Sequence, residues 1–267
     1  ANHFQPMRQL LKITATFTLA LVFSAGMAVG QTQTPGDNSA TTTQVGDDHQ
    51  STIVQELGFS SAEPHIAQVT QKAGDENFSD IQQGQAKGRA FVEQIGSRNV
   101  SRVSQAGFNR ADVTMTGNGN RLGDYQNLSS PARQENGTGN FSERKNTLDL
   151  SVNGNNNQTG IFQDAGNRAE VTVADGNRNR INIFQNREDL SSEYSSPKNR
   201  SFVDVNGNRN NIDIYQGDAV TSNFSDVDIV GGGNFNRVNI DQKTNSNTAD
   251  VYINGSSNKS IIKQQPK

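Results

Sequence analysis

One spacing dominates this chain: an Asn followed, after five intervening residues, by a Gln. It occurs at Asn77/Gln83, Asn99/Gln105, Asn120/Gln126, Asn157/Gln163, Asn179/Gln185, Asn210/Gln216, Asn236/Gln242 and Asn258/Gln264, with His49/Gln55 as a ninth copy. A second series of the same length alternates strictly with the first. It runs His65/Gln71, Gly88/Gln94, Asn109/Met115, Asn146/Val152, Asn167/Val173, Asn199/Val205, Asn223/Ile229 and Asn247/Ile253. Recurrence at a fixed period is the mark of a stacked repeat architecture.

Within each copy the apolar residues alternate with a period of two, as in a strand with one buried face. Asn179, Ile181, Ile183 and Gln185 share one face; Arg180, Asn182 and Phe184 share the other. The same inward set reads Asn167, Ala169, Val171, Val173, and then Asn210, Ile212, Ile214, Gln216. β-Branched residues crowd the segments and the apolar spacing is two, so helices are excluded. One copy departs: Asp124 falls on the inward face with Tyr125 outward, which predicts a local defect.

The joints between copies are of two kinds. From the second series into the first they are short and rich in Gly and Asn, as in Thr116-Gly117-Asn118-Gly119 and Asn153-Gly154-Asn155-Asn156. Those residues accept the positive φ that tight reversals require. The opposite joint varies, from Asp164-Ala165-Gly166 to the long insertions 127–145 and 186–198. One edge therefore stacks regularly while the other admits loops.

A strand–turn–strand unit of this size cannot bury its apolar face alone. Copies stacked at ~4.8 Å, with two faces ~10 Å apart, can. The predicted fold is all-β: a cross-β, amyloid-like solenoid of stacked strand–turn–strand repeats with about nine rungs, a rod of roughly 40 Å at that spacing. Composition agrees with so thin a core: 33 Asn and 25 Gly make up more than a fifth of the 267 residues, and only 31% are hydrophobic.

Inward amides need partners, since an unpaired buried amide costs about 1–3 kcal/mol. Stacked one rung apart, identical amides donate and accept along the axis, a ladder that also penalises slippage of register. The sixteen Asn and Gln residues from Asn77 to Gln264 in the first series are the expected ladder positions; for the Asn residues, capping of turns is the alternative. In the second series the closing Gln gives way to Met, Val or Ile from Met115 onward, so that column turns hydrophobic. His49/Gln55 and Asn258/Gln264 are the expected polymerisation ends, because an uncovered rung presents unpaired N–H and C=O groups.

The N-terminus bears on compartment. Met7-Arg8-Gln9-Leu10-Leu11-Lys12 precedes an apolar run from Ile13 to Val29, with small residues at Ala25, Ala28 and Gly30. This reads as a secretory signal peptide spanning residues 1–30, including extra residues before Met7, and not as a membrane span. Residues 31–48 read as a disordered polar leader and 49–267 as the repeat domain. The expected location is extracellular. With no Cys there is neither a disulfide scaffold nor a thiolate metal site. A net charge of −3 leaves no basic surplus for nucleic acid. No metal or cofactor is expected.

The outward faces carry two notable columns. Asp112, Asp149, Glu170, Asp226 and Asp250, interrupted by Phe202, form an acidic one, with Arg110, Arg168 and Arg200 placed to offset part of the repulsion. It suits either a cation-binding column or a solvated gatekeeper face. Tyr125, Phe162, Phe184 and Tyr215 form an aromatic column suited to lateral packing, coverage by the insertions, or polysaccharide. All three His precede residue 66, and His49 and His65 hold Asn-equivalent positions, so the chain is not expected to be an enzyme. Asp124 with Glu135 and Glu143 would be the one place to seek paired carboxylates.

The order Gln94-x4-Asn99-x5-Gln105 resembles the curlin repeat, Ser-x5-Gln-x4-Asn-x5-Gln, of the subunits of curli, the bacterial extracellular amyloid fibre. Gly88-x5-Gln94 completes the unit with Gly in place of Ser, and Asn146-x5-Val152-x4-Asn157-x5-Gln163 keeps the spacing with one column altered. The resemblance implies secretion as an unfolded chain through an outer-membrane apparatus, then nucleated self-assembly into surface fibres of a biofilm matrix. It leaves open a major subunit, a minor nucleator-type subunit, or a monomeric adhesin binding matrix polysaccharide.

Overall fold

The computed structural model describes residues 31–33, 38–56, 65–84, 88–106, 109–124, 132–135, 146–164, 166–185, 199–217, 222–243 and 246–265. In chain order the strands are β1 (Gln31–Gln33), β2 (Ser39–Val45), β3 (Gln50–Gln55), β4 (Ile66–Lys72), β5 (Phe78–Gly84), β6 (Arg89–Ile95), β7 (Val100–Ala106), β8 (Arg110–Thr116), β9 (Arg121–Gly123) and β10 (Ala132–Glu135). They continue as β11 (Thr147–Asn153), β12 (Gln158–Asp164), β13 (Arg168–Ala174), β14 (Arg180–Gln185), β15 (Arg200–Asn206), β16 (Asn211–Gln216), β17 (Phe224–Val230), β18 (Arg237–Gln242), β19 (Thr248–Asn254) and β20 (Lys259–Gln264). No helix occurs among the described residues.

The chain is a β-solenoid. It passes back and forth between two parallel sheets, one strand in each per turn of the coil. The first sheet has eleven strands, in the order β1, β3, β5, β7, then β9 and β10, then β12, β14, β16, β18 and β20. The second has nine: β2, β4, β6, β8, β11, β13, β15, β17 and β19. Register is uniform: Gln163 pairs with Gln185, Gln185 with Gln216, and Gln216 with Gln242.

Between the sheets lies a core two aliphatic residues deep. Ile53, Ile81, Val103, Ala132, Ile161, Ile183, Ile214 and Ile240 form one buried column, and Val69, Val92, Val113, Leu150, Val171, Val203, Val227 and Val251 another. Branched side chains suit a pleated, one-sided surface, and each buried Val or Ile contributes about 1.5–3 kcal/mol.

Three expectations need correction. Residues 38–45 are not a disordered leader, because Asn38/Gln44 is a further copy of the second series, and β2 pairs with β4 in register, Gln44 against Gln71. β1 adds a further position below β3, so the first sheet holds ten rung positions and not nine. His49 and Gln55 are consequently interior, exposed by only 0% and 1%, and are not an end of the stack. At the other end, Asn258 and Gln264 do lie in the last rung, β20.

The third correction concerns the defect at Asp124. The strand stops there, and the rung is completed by β10: Gly123 pairs with Gly160, while Arg133 pairs with Phe162. Residues 124–131 are thus inserted in mid-rung, because a carboxylate at the inward position cannot replace an aliphatic one. The insertion placed at 127–145 is really two, separated by β10. Gln134, not Gln126, closes this rung, and Gln126 and Tyr125 lie outside the described residues. So do the expected signal peptide at 1–30, the whole insertion at 186–198, and Glu143.

Candidate functional site: the amide ladders and the open rungs

The Gln column of the first sheet is one continuous ladder. Each Nε2 donates to the Oε1 of the next rung: Gln55 to Gln83, Gln83 to Gln105, Gln105 to Gln134 and Gln134 to Gln163, at 2.8–2.9 Å. The chain continues from Gln163 to Gln185, Gln216, Gln242 and Gln264, every step at 2.9 Å. The second amide hydrogen crosses to the opposite sheet, for example from Gln105 to the Arg89 carbonyl and from Gln163 to that of Thr147, both 3.1 Å. Every amide therefore ties rung to rung and sheet to sheet. All the bonds run in one direction, so the ladder is polar.

The Asn residues do something different. The backbone N–H of each donates to the side-chain Oδ1 one rung earlier, as from Asn99 to Asn77 at 2.9 Å, Asn179 to Asn157 at 3.0 Å and Asn258 to Asn236 at 2.8 Å. Their Nδ2 groups reach the turn of the next rung: Asn99 to the Gly117 carbonyl, Asn179 to that of Gly207, both 2.8 Å. The Asn column thus supplies both the ladder and the turn cap. A parallel column in the second series joins Asn109, Asn146, Asn167, Asn199, Asn223 and Asn247 by the same backbone-to-side-chain bonds.

The two histidines imitate Asn. His65 Nδ1 accepts the Gly88 N–H at 2.9 Å, and its Nε2 meets the Glu56 carbonyl at 3.0 Å. His49 Nδ1 accepts from Asn77 N–H at 3.3 Å, with Nε2 on the Val45 carbonyl at 3.1 Å. Both rings must be neutral and carry the proton on Nε2. Burial lowers the His65 pKa, against a smaller opposing effect of the Glu56 carbonyl.

Sequence reasoning passed over three parts of this arrangement. The Asn38/Gln44 copy carried the same spacing as the rest. Gln134 was signalled only by Ala132-x-Gln134 resuming the alternation that Leu122 began. A third ladder runs along the turns, Asn118 to Asn155, Asn177, Asn208 and Asn234, with side-chain bonds of 2.9–3.2 Å. Its signal was the Asn two residues before each ladder Asn.

The Gln column of the second sheet is short: Gln44 to Gln71 and Gln71 to Gln94, both 2.7 Å, before Met115 follows Gln94 in register. The neighbouring first-sheet column runs from Ser51, Ser79 and Ser101 through Leu122 and Thr159 to Ile181, Ile212 and Val238. The closing column of the second sheet is therefore amide at one end and aliphatic beyond it, while buried hydroxyls persist further along at Thr159, Ser201 and Ser225.

Among the described residues the outermost strands leave one edge without a strand neighbour at each end. β19 and β20 each have one neighbour, as do β1 and β2. Gln264 accepts from Gln242 and donates to the Thr248 carbonyl at 3.0 Å, in the pose from which every interior Gln reaches the next rung. Ile261, 52% exposed, and Tyr252, 65% exposed, lie on these last rungs.

Outward, Phe162, Phe184 and Tyr215 stack at 5.0 and 4.9 Å with nearly parallel rings, and Lys243 Nζ sits 5.4 Å from the Tyr215 centroid. The register expected of Tyr125 is held by Arg133. In the acidic column Arg110 reaches Asp112 at 2.5 Å and Arg168 reaches Glu170 at 2.7 Å. Among the described residues no three His, Cys or acidic side chains converge on a common metal position. Asp124 is buried at the strand break.

Among the described residues the far end of that face has no such ion pair. Burial, and then repulsion from Asp228 and Asp250, raise the Asp226 carboxyl above the ordinary 3.8; burial and Asp228 do the same for Asp204. A raised folded value means that ionisation destabilises the fold, so stability rises as pH falls through that value toward 3.8. Asp226→Asn is expected to raise the urea midpoint at pH 7, with the gain vanishing as pH approaches 4. A gain that persisted unchanged at acid pH would show that charge is not the cause.

Comparison with protein-family models, with curated proteins and with solved structures found no match to this chain. Among the described residues, no helix is long and apolar enough to cross a membrane.

Proposed function

We propose that the protein is a structural subunit of a secreted, curli-like extracellular amyloid fibre, assembling by end-to-end stacking of solenoids. The observation that carries this reading is the polar Gln ladder, whose last rung, at Gln264, has no further strand neighbour among the described residues. Gln264 keeps the donor geometry of the eight interior glutamines before it, and an uncovered parallel edge templates another strand. Asn258, whose Nδ2 bonds back to Asn236 at 3.1 Å, offers its Oδ1 forward in the same way. The role is structural and not catalytic: both repeat-domain histidines spend their two ring nitrogens on the ladder. Self is the principal partner, with an outer-membrane secretion apparatus and a nucleating subunit by resemblance to curli.

One column supports a second reading, a minor or nucleator-type subunit. Copies joined end to end would bring Gln44 of one rung against Ile253 of the other, an amide on an aliphatic side chain. A partner with Gln in both columns would match the Gln44 end better.

The test is incubation of the purified chain lacking residues 1–30 at micromolar concentration, followed by imaging and fibre diffraction. Unbranched fibres with a ~4.7 Å meridional repeat are expected. A monomer that persists for days with full β content overturns the fibre reading.

A further inference from the structure

The short turns line up along one edge of the solenoid, and this edge carries a groove of about 430 Å³ spanning four rungs. One wall is the turn ladder of Asn177, Asn208 and Asn234. The other is a column of side chains on left-handed backbone, in which Arg178, Arg209 and Phe235 (φ 58°, 56° and 59°) follow one another. The rungs are successive: Arg209 N–H donates to the Asn177 carbonyl at 2.9 Å and Phe235 N–H to that of Asn208 at 3.1 Å.

This stretch departs from the rules the rest of the column obeys. Earlier in the same column Arg98 is paired with Glu76 at 2.7 Å. Arg178 and Arg209 lie one rung apart, both exposed, and no carboxylate among the described residues pairs with either. Asp175, in the turn of Arg178, is taken by Asn153 Nδ2 at 2.5 Å. Phe235 is a bulky side chain on backbone that favours Gly, Asn or Asp, and it is 56% exposed. Arg209 lies over its ring, Cζ to centroid 5.2 Å, which fixes both side chains at the groove mouth. Strain, exposure and like charge coincide here, and among the described residues no carboxylate offsets the charge.

We infer that this turn-edge groove binds an acidic polysaccharide, a chain of β-linked uronate residues. An extended β-linked sugar advances by nearly one rung spacing, ~4.8 Å, per residue, so one sugar faces each turn. Carboxylates on the edge of the chain that faces the groove meet Arg178 and Arg209, whose long side chains reach along the axis, in charge-assisted, bidentate contacts. The turn amides spend one Nδ2 hydrogen on the ladder and offer the other to ring hydroxyls; the aliphatic face of a further sugar packs on Phe235. The groove is rigid because its wall is hydrogen-bonded rung to rung, so little order has to be imposed on binding.

The site lies on the turn edge and not on the open rungs, so it stands or falls separately from fibre formation. The test is fluorescence anisotropy of a labelled β-linked oligomannuronate titrated with the chain at low salt, against a cello-oligosaccharide and an oligodeoxythymidylate. Saturable binding of the uronate, weakened by salt and absent for the neutral glucan, is expected. Arg178→Gln with Arg209→Gln should weaken it about tenfold or more, Phe235→Asn several-fold, and Arg98→Gln hardly at all. All four substitutions are on exposed turn positions, and circular dichroism confirms that each variant keeps its β content. Absence of binding, equal affinity in the double Arg variant, or tighter binding of the oligodeoxythymidylate overturns the assignment.

Discussion

Gln163→Glu should destabilise the solenoid by about 4 kcal/mol at pH 7, far more than its near-isosteric size suggests. The side chain is fully buried, its Oε1 accepting from Gln134 and its Nε2 donating to both Gln185 Oε1 and the Thr147 carbonyl. A carboxylate there keeps the first bond and turns the other two into contacts between lone pairs. Lowering the pH restores one donor as the carboxyl takes up a proton, so part of the loss should be recovered in urea titrations near pH 4. Gln158→Glu is the matching control. It lies on the outward face in register with Arg121 and Arg180, where a negative charge is welcome. Equal effects from the two substitutions would mean that the ladder contributes no special stability.

Gly154→Ala should cost about 3 kcal/mol or more, through the turn edge instead of the core. Gly154 has φ 130°, and an added Cβ would run into the carbonyl oxygen of Gly176 in the rung above. Relief requires moving a turn that holds Gly154 N–H on the Thr116 carbonyl at 3.0 Å and the Gly154 carbonyl on Asn120 Nδ2 at 2.8 Å. Because each rung contacts only its neighbours, the damage should separate the stack at this joint and broaden the unfolding transition. Gly84→Ala is the control: a Cβ there meets nothing within 4 Å, and a change under ~0.5 kcal/mol is expected. Chemical denaturation with circular dichroism measures both.

The two residues act at different levels of one design. Gly at the turns lets successive backbones lie within contact distance, and that closeness brings Gln and Asn side chains into axial hydrogen bonding. Acid bears on the stack in two opposing ways. Asp204 and Asp226 gain from protonation, whereas His65 loses its acceptor nitrogen as pH falls through its lowered value, and the Gly88 N–H then faces a donor. The aspartate gain comes as pH falls through their raised values toward 3.8, and the histidine loss begins as pH falls below the ordinary 6.5.

Period-two alternation, the Asn–Gln spacing and the Gly-Asn turns by themselves determined the solenoid, the inward amides, and which columns would be aliphatic. Local chemistry suffices there, because a parallel in-register stack repeats one environment at every rung. Asp124 also announced where regularity would fail. Only the tertiary structure decided how it was repaired: Gln134 enters the ladder from β10, eight residues (124–131) after Gly123 has left the register, since a hydrogen-bonded column tolerates intervening chain but not a missing amide. The same reason brought Asn38 and Gln44 out of an apparently polar leader, a polar pair being ordered once a neighbouring rung, here Gln71 and His65, offers its complement. The unpaired Arg178 and Arg209 became neighbours only through stacking, for they stand thirty-one positions apart in the chain and one rung apart in space.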